Sequence, residues 1–321
     1  MSTFFVPIEI TDLNMTSSVG IDSDADIYGA AWKGVWSAAY AGGYSTGNVV
    51  RKNNNLYESQ IDANTEDPVT GSVSETPTWI DLQMINKYRM FDDLVGANPL
   101  YQNKGVTSDT DEIIVTISGA IDEIAFFDLN CVTVLAEIID SDSTTLWQQE
   151  YNLIDGLRDV GSYVEYFFKP FPSYNRDIDI HLGWTTSTAL GESVRLTLRG
   201  VGTVSCGNCF LGSSIEIGET KWGVSAGVLY YGEITTDRYG RTTHIPGVSA
   251  KTHDVDIYIN LGEESRVYRI LKDILSKDVV FNLNNDGVYD HIITYGYIGD
   301  FNEPMEQLGT TIVNMEIIGR I

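Results

Sequence analysis

Cys206-Gly-Asn-Cys209 is the one C-x-x-C spacing in the chain, and it raises zinc or redox chemistry first. A zinc centre takes four ligands, so a lone pair needs a second pair. Cys131 is far off in sequence, and His181, His244, His253 and His291 are scattered without ligand spacing. Redox use calls for a strand–helix setting, whereas Phe210-Leu211 continues as strand or loop. These are read as structural cysteines, with a metal site completed across a subunit interface as the alternative. Two runs carry calcium-loop spacing. Asp22-x-Asp24-x-Asp26 has the first three ligand spacings of an EF-hand, but Ile27 stands where the turn needs Gly, and Lys33 where a bidentate Glu belongs. Asn282-x-Asn284-x-Asp286-Gly287 keeps the glycine and has Ile293 at the twelfth position. Both read as solvated turns. The adjacent carboxylates Asp122/Glu123 and Glu263/Glu264 would point to opposite faces of a strand. The chain has no Gly-x-Ser-x-Gly elbow, no P-loop and no Gly-x-Gly-x-x-Gly after a strand. The expectation is a non-enzyme with no cofactor and no resident metal.

Charge narrows the partners. Twenty Lys and Arg stand against 45 Asp and Glu, a net charge of −25. Nucleic-acid affinity is mostly phosphate neutralisation by basic residues, so this surface repels nucleic acid and anionic membranes alike. It suits a protein that docks against basic neighbours. No apolar run reaches the roughly 18–20 residues that span a bilayer, so no membrane insertion is expected. The opening MSTFFVPIEITDLN lacks the basic start and apolar centre of a signal peptide. Synthesis in the cytoplasm without Sec export is the expectation, and the odd cysteine count agrees.

The elements that must hold these residues are mostly strands. With 321 residues and 43% hydrophobic content, two or three units with proper cores are expected. Short runs such as Ile113–Ile117, Val132–Ile138, Val194–Leu198 and Val255–Ile259 alternate or are continuously apolar between Gly, Asn and Asp turns. One stretch has the helical period: Val267, Ile270, Leu271, Ile274 and Leu275 line one face, with Glu263 and Glu264 before them and Lys277 after. The expected fold is mainly β and multidomain. Residues 1–30 are a polar extension, 31–85 a small aromatic β module, 86–215 a β-sandwich of seven or eight strands, and 216–321 an α+β domain with one long helix.

In the small module, Val49-Val50 start a strand, Asn53-Asn54-Asn55 turn the chain, and Leu56-Tyr57 start the return. Pro77-Thr-Trp79 then comes back to cover the hairpin. The order Trp36, Tyr44, Gly47, Val49, Tyr57, Pro77, Trp79 resembles the small chitin-binding modules of bacterial chitinases, with Asn48 in place of their usual Asp and a long spacing before Trp79. The resemblance implies that Trp36, Tyr44, Tyr57 and Trp79 stack on sugar. The same rings could equally be the core of a module poor in aliphatics.

Read with Ile85–Asp92, Leu211–Gly223, Asp237-Arg-Tyr-Gly-Arg241 and Thr311–Gly319, the chain is similar to a group of structural proteins of tailed bacteriophages and prophages. That resemblance implies a virion component of the tail, neck or baseplate. Its partners would be other virion proteins and copies of itself, with host surface glycan as a further one. The middle segment more loosely resembles galactose-binding jelly rolls, which would put Trp147, Tyr174 and Trp184 among candidate contacts. At the end of the sequence, Thr310–Ile318 alternates as a strand, expected to pair within the chain or to offer an edge to a neighbour.

Overall fold

The fold is that of a computed structural model, which describes residues 2–92, 106–108, 112–153, 162, 167, 177–183, 185–200, 204–221, 223–236, 238–260, 262–283, 292–302 and 310–320. The described strands form sheets of seven, five, four, four and two strands, a mainly β architecture as the sequence pattern requires.

Two of these sheets face each other as a sandwich. The five-stranded sheet runs Thr145–Asn152, Thr133–Ile139, Ser193–Arg199, Glu112–Ile117, Met15–Val19; the four-stranded one runs Ile178–His181, Glu123–Asn130, Val204–Gly212, Val106–Ser108. Ile113, Val115, Val134, Ala136, Leu196 and Leu198 from the first meet Ile124, Phe126, Ile180 and Val204 from the second in one core. The four-stranded sheet is covered on its other face too. Ala125, Phe127 and Phe210 pack there against Phe5, Val280, Ile293 and Tyr295, with Phe210 stacked on Tyr295 at 4.0 Å. Burial on both faces explains why residues 124–127 are continuously apolar instead of alternating.

The residues beyond the sandwich curl into a ring. Strand order is Ile215–Thr220, Ser2–Phe5, Val279–Asn282, Ile293–Asn302, Thr310–Gly319, Ser249–Asn260, and Ser249–Asn260 pairs back onto Glu219 and Thr220. At the closing seam a Cβ on Gly218 would lie 2.2 Å from the Tyr258 carbonyl oxygen, so only glycine lets the strands meet. The helix Glu264–Ile274 packs Val267, Leu271 and Ile274 against the barrel's apolar lining of Phe4, Ile257, Phe281 and Val313. In Thr310–Gly319 the odd-numbered residues from Thr311 to Ile317 are buried, as the alternation demands. This strand lies between two others, so the option of an edge donated to a neighbour is closed.

Residues 1–30 are corrected from a polar extension to a structural tie. Ser2–Phe5 is an inner strand of the barrel, and Met15–Val19 is the edge of the sandwich's five-stranded sheet. Phe4 and Phe5, adjacent and therefore facing opposite ways, fill the barrel core and the barrel–sandwich seam.

The small module is a four-stranded sheet of Trp32–Val35, Val49–Lys52, Asn55–Ser59 and Trp79–Met84. Its hairpin turns through Asn53 and Asn54, with Asn53 at φ 57°, a conformation asparagine tolerates. Asn55 already pairs with Lys52, so the turn is one residue shorter than expected. The sheet has two loyalties. Val49, Leu56 and Leu82 join the sandwich core, while Val50, Tyr57 and Trp79 form a separate aromatic core with Tyr44.

Candidate functional site

The four rings expected to stack on sugar are mostly inside. Trp79 and Tyr44 are fully buried and Tyr57 is 5% exposed. Trp79 donates its Nε1 proton to the Glu66 carbonyl at 3.0 Å, and Tyr44 meets it edge-on at 5.5 Å. The Tyr44 hydroxyl accepts from the Ser37 backbone at 2.9 Å. Trp36 is half-buried beside them, with the Lys52 ammonium 4.5 Å over its ring and its own Nε1 inside without a partner. Sugar stacking needs an open ring face, and Tyr44, Tyr57 and Trp79 have none. Their expected role is therefore corrected to that of a small core. Tyr40, which the sequence pattern did not single out, is exposed and stacks on Tyr44 at 4.2 Å.

The cysteines are core residues as well. Cys206 and Cys209 sit in Val204–Gly212, a strand buried along its whole length. Three apart, they would face opposite ways on a regular strand. Asp128, at φ 51°, and Gly207 opposite it break the alternation of both strands, so both thiols enter the same core. A Cβ at 207 would meet the Phe127 carbonyl oxygen at 2.9 Å, which is why glycine stands there. Burial pushes both thiols well up, and Cys131 to about 12, so none is a ready thiolate at neutral pH. A metal site shared across an interface has no open thiol to use. Among the described residues no three His, Cys, Asp or Glu side chains group as a metal site.

The acidic run at 22–26 has a structural use. Ser23 caps the short helix Asp24–Tyr28, and Asp24 and the Asp22 carbonyl accept from the backbone and side-chain amides of Asn86 at 3.1 and 3.0 Å. Of the second run, residues 284–290 lie outside the described residues, as do Tyr174, Trp184 and His291. Trp147 packs against the sandwich core.

Three features remain that sequence reasoning missed. The first is a polar cluster in the sandwich–barrel seam. Asn282 donates to Asp179 at 2.6 Å and to Glu123 at 3.3 Å, and Thr3 donates to Glu123 at 3.2 Å. Burial, and then the neighbouring Glu123 carboxylate, hold the Asp179 carboxyl well above the usual carboxylate range. The second is a hollow of about 660 Å³ on the outer face of the five-stranded sheet, lined by Thr16, Ser17, Thr116, Ser141 and Ser143 around a two-pronged Arg195–Glu137 pair at 2.7 and 2.8 Å. The guanidinium holds the Glu137 carboxyl below its ordinary range. No aromatic ring lines this hollow.

The third is an arm. Ser225–Tyr230 pairs with the first residues of Ser249–Asn260, and beyond them Glu233–Thr236 pairs only with Thr242–Ile245. Every described side chain from Ser225 to Ser249 is exposed, on both faces. They include Val228 at 68%, Tyr231 at 57%, Ile234 at 57%, Tyr239 at 71% and Ile245 at 50%. Five residue steps separate Tyr231 from Thr236, so the free strands run about 17 Å from their root before the turn. Its charge differs from that of the rest of the chain. Residues 222–248 hold Glu233 and Asp237 against Arg238 and Arg241, a balance of zero in a chain of net −25. The signal was present as TDRYGR, a turn sequence between two β-rich runs, but only the fold shows that nothing in the described chain covers it.

These features define a mainly β protein of sandwich, barrel and small module. No family model, curated protein or solved structure matches the chain.

Proposed function

We propose that the chain is a non-enzymatic structural protein of a tailed-phage virion, working in the tail, neck or baseplate as an oligomer among copies of itself and other virion proteins. The observation that carries the assembly part is the arm. A two-stranded hairpin is marginal in water on its own. One that exposes tyrosines, valines and isoleucines on both faces gains its stability by being covered, and exposed apolar patches of this kind mark interaction sites. The virion setting rests on the sequence resemblance. The burial of Tyr44, Tyr57 and Trp79 favours assembly over sugar stacking at the small module. Quantitative mass spectrometry of purified particles of the encoding phage is the test. The reading expects the chain at a fixed multiple copy number per particle, and its absence from particles overturns it.

The hollow on the sandwich favours a second reading, in which host surface polysaccharide binds there. Its volume lies in the range of ligand sites, and hydroxyls with an Arg–Glu pair suit a polyol. Ser17→Trp fills the hollow from an exposed position and should abolish binding of purified host polysaccharide. Undiminished binding removes this reading.

A further inference from the structure

We propose that the arm of one copy docks its tip, with Arg238 and Arg241, onto an acidic face of the barrel of a second copy. The proposal rests on the assembly reading and names the partner of that arm.

The receiving face lies at the root of the same arm. Asp300, Glu316 and Asp254 are cross-strand neighbours on three adjacent strands, Ile293–Asn302, Thr310–Gly319 and Ser249–Asn260. All three are exposed. Like charges directly opposite one another destabilise a sheet, and here three stand in a row. Among the described residues no hydrogen bond or ion pair reaches any of the three carboxylates, whereas that of Asp256 beside them is held by Lys221 and Asn314. With Asp256, Asn302 and Asn314 the row lines a depression of about 230 Å³. An unneutralised acidic row suits a guanidinium, which is planar and forks to carboxylates.

The arm tip supplies that chemistry. Arg238 lies over the Tyr239 ring at 4.7 Å and donates to its hydroxyl at 2.6 Å, so a ring and a guanidinium are presented together. Residues 237–241 carry two arginines against one aspartate. The tip cannot serve its own barrel. Asp254 pairs with Ser225 at the arm's root, about 37 Å of strand before the turn that follows Thr236. The receiving face must belong to another copy. Two copies joined this way either exchange arms about a two-fold axis or pass the contact on into a ring or a helical stack.

The test reverses the charges on each side in the full chain: a tip variant, Arg238→Glu with Arg241→Glu, and a face variant, Asp300→Lys with Glu316→Lys. All four residues are exposed, and circular dichroism confirms that each variant is folded. Self-association is read by sedimentation velocity at low and high salt. The proposal expects each variant alone to associate at least about tenfold more weakly than the native chain. It also expects an equimolar mixture of the two to associate again, since every tip then finds a face of opposite charge. Native association should weaken with added salt. A native chain that associates while the tip variant does so equally overturns the tip-to-face contact and leaves the assembly reading standing. A native chain that stays monomeric at its highest soluble concentration overturns the contact. Absence of the chain from particles overturns the assembly reading, and this inference with it.

Discussion

At Asp179 and Glu137 two carboxylates meet opposite fates within one sandwich. Asp179 is held high by burial and by Glu123, so it keeps its proton in the folded chain at pH values where an unfolded aspartate has lost it. Its contribution is present at acid pH and is lost as pH rises through its folded value. Glu137 is held low by Arg195, so its contribution is present above the ordinary carboxylate range and is lost as pH falls. Asp179→Asn should therefore raise the thermal midpoint at neutral and alkaline pH and flatten its fall with rising pH; an unchanged profile removes Asp179 as the cause. Neither pairing was legible in the sequence, because Arg195 lies 58 residues from Glu137 and Asn282 lies 103 from Asp179, and they meet only in the fold. The aromatic module was half legible. Its residues and hairpin could be read, but whether its rings face in or out depends on Tyr44 and Trp79 closing over each other. Trp79→Ala should cost about 3–5 kcal/mol, read by denaturant unfolding, whereas Tyr40→Ala on the exposed side should cost little.

Among elements, the helix Glu264–Ile274 was legible apart from its end, since Val267, Leu271 and Ile274 meet the barrel lining while Leu275, expected on the same face, is exposed past the last turn. The arm was not. Its residues have the β-branched and aromatic make-up of any strand, and sequence pattern cannot distinguish a strand with neighbours from one without. An exposed hairpin with Arg238 and Arg241 near its turn offers trypsin two sites. Brief digestion of the free chain should cut at 238 or 241 before anywhere in the barrel, and oligomeric chain should be protected there. Equal cutting rates in both states would mean that the arm is not covered on assembly. Gly218 belongs to this scale too: Gly218→Ala should open the barrel seam, read as hydrogen exchange gained at Glu219 and Thr220.

Across the whole molecule, the divisions drawn from the sequence are blurred by the first twenty residues. Composition marked them as polar, and Phe4 and Phe5 alone gave too short an apolar run to claim a strand. Yet this segment threads the barrel, its seam with the sandwich, and the sandwich edge in turn. Sandwich and barrel should therefore melt together in calorimetry, and deleting residues 2–5 should destabilise both. Two separated transitions in the native chain would refute this coupling. Removing residues 310–320 takes an inner strand out of the barrel and should unfold it outright, read as loss of protease resistance in 215–302. The threading also has a consequence for synthesis. Phe4 pairs with Ile215 and Phe281, so this strand leaves the ribosome well before the partners it needs. At about 5–20 residues per second that wait is roughly 15–55 s. The barrel, with the arm it carries, cannot close on a nascent chain, so a half-made copy cannot join a growing assembly.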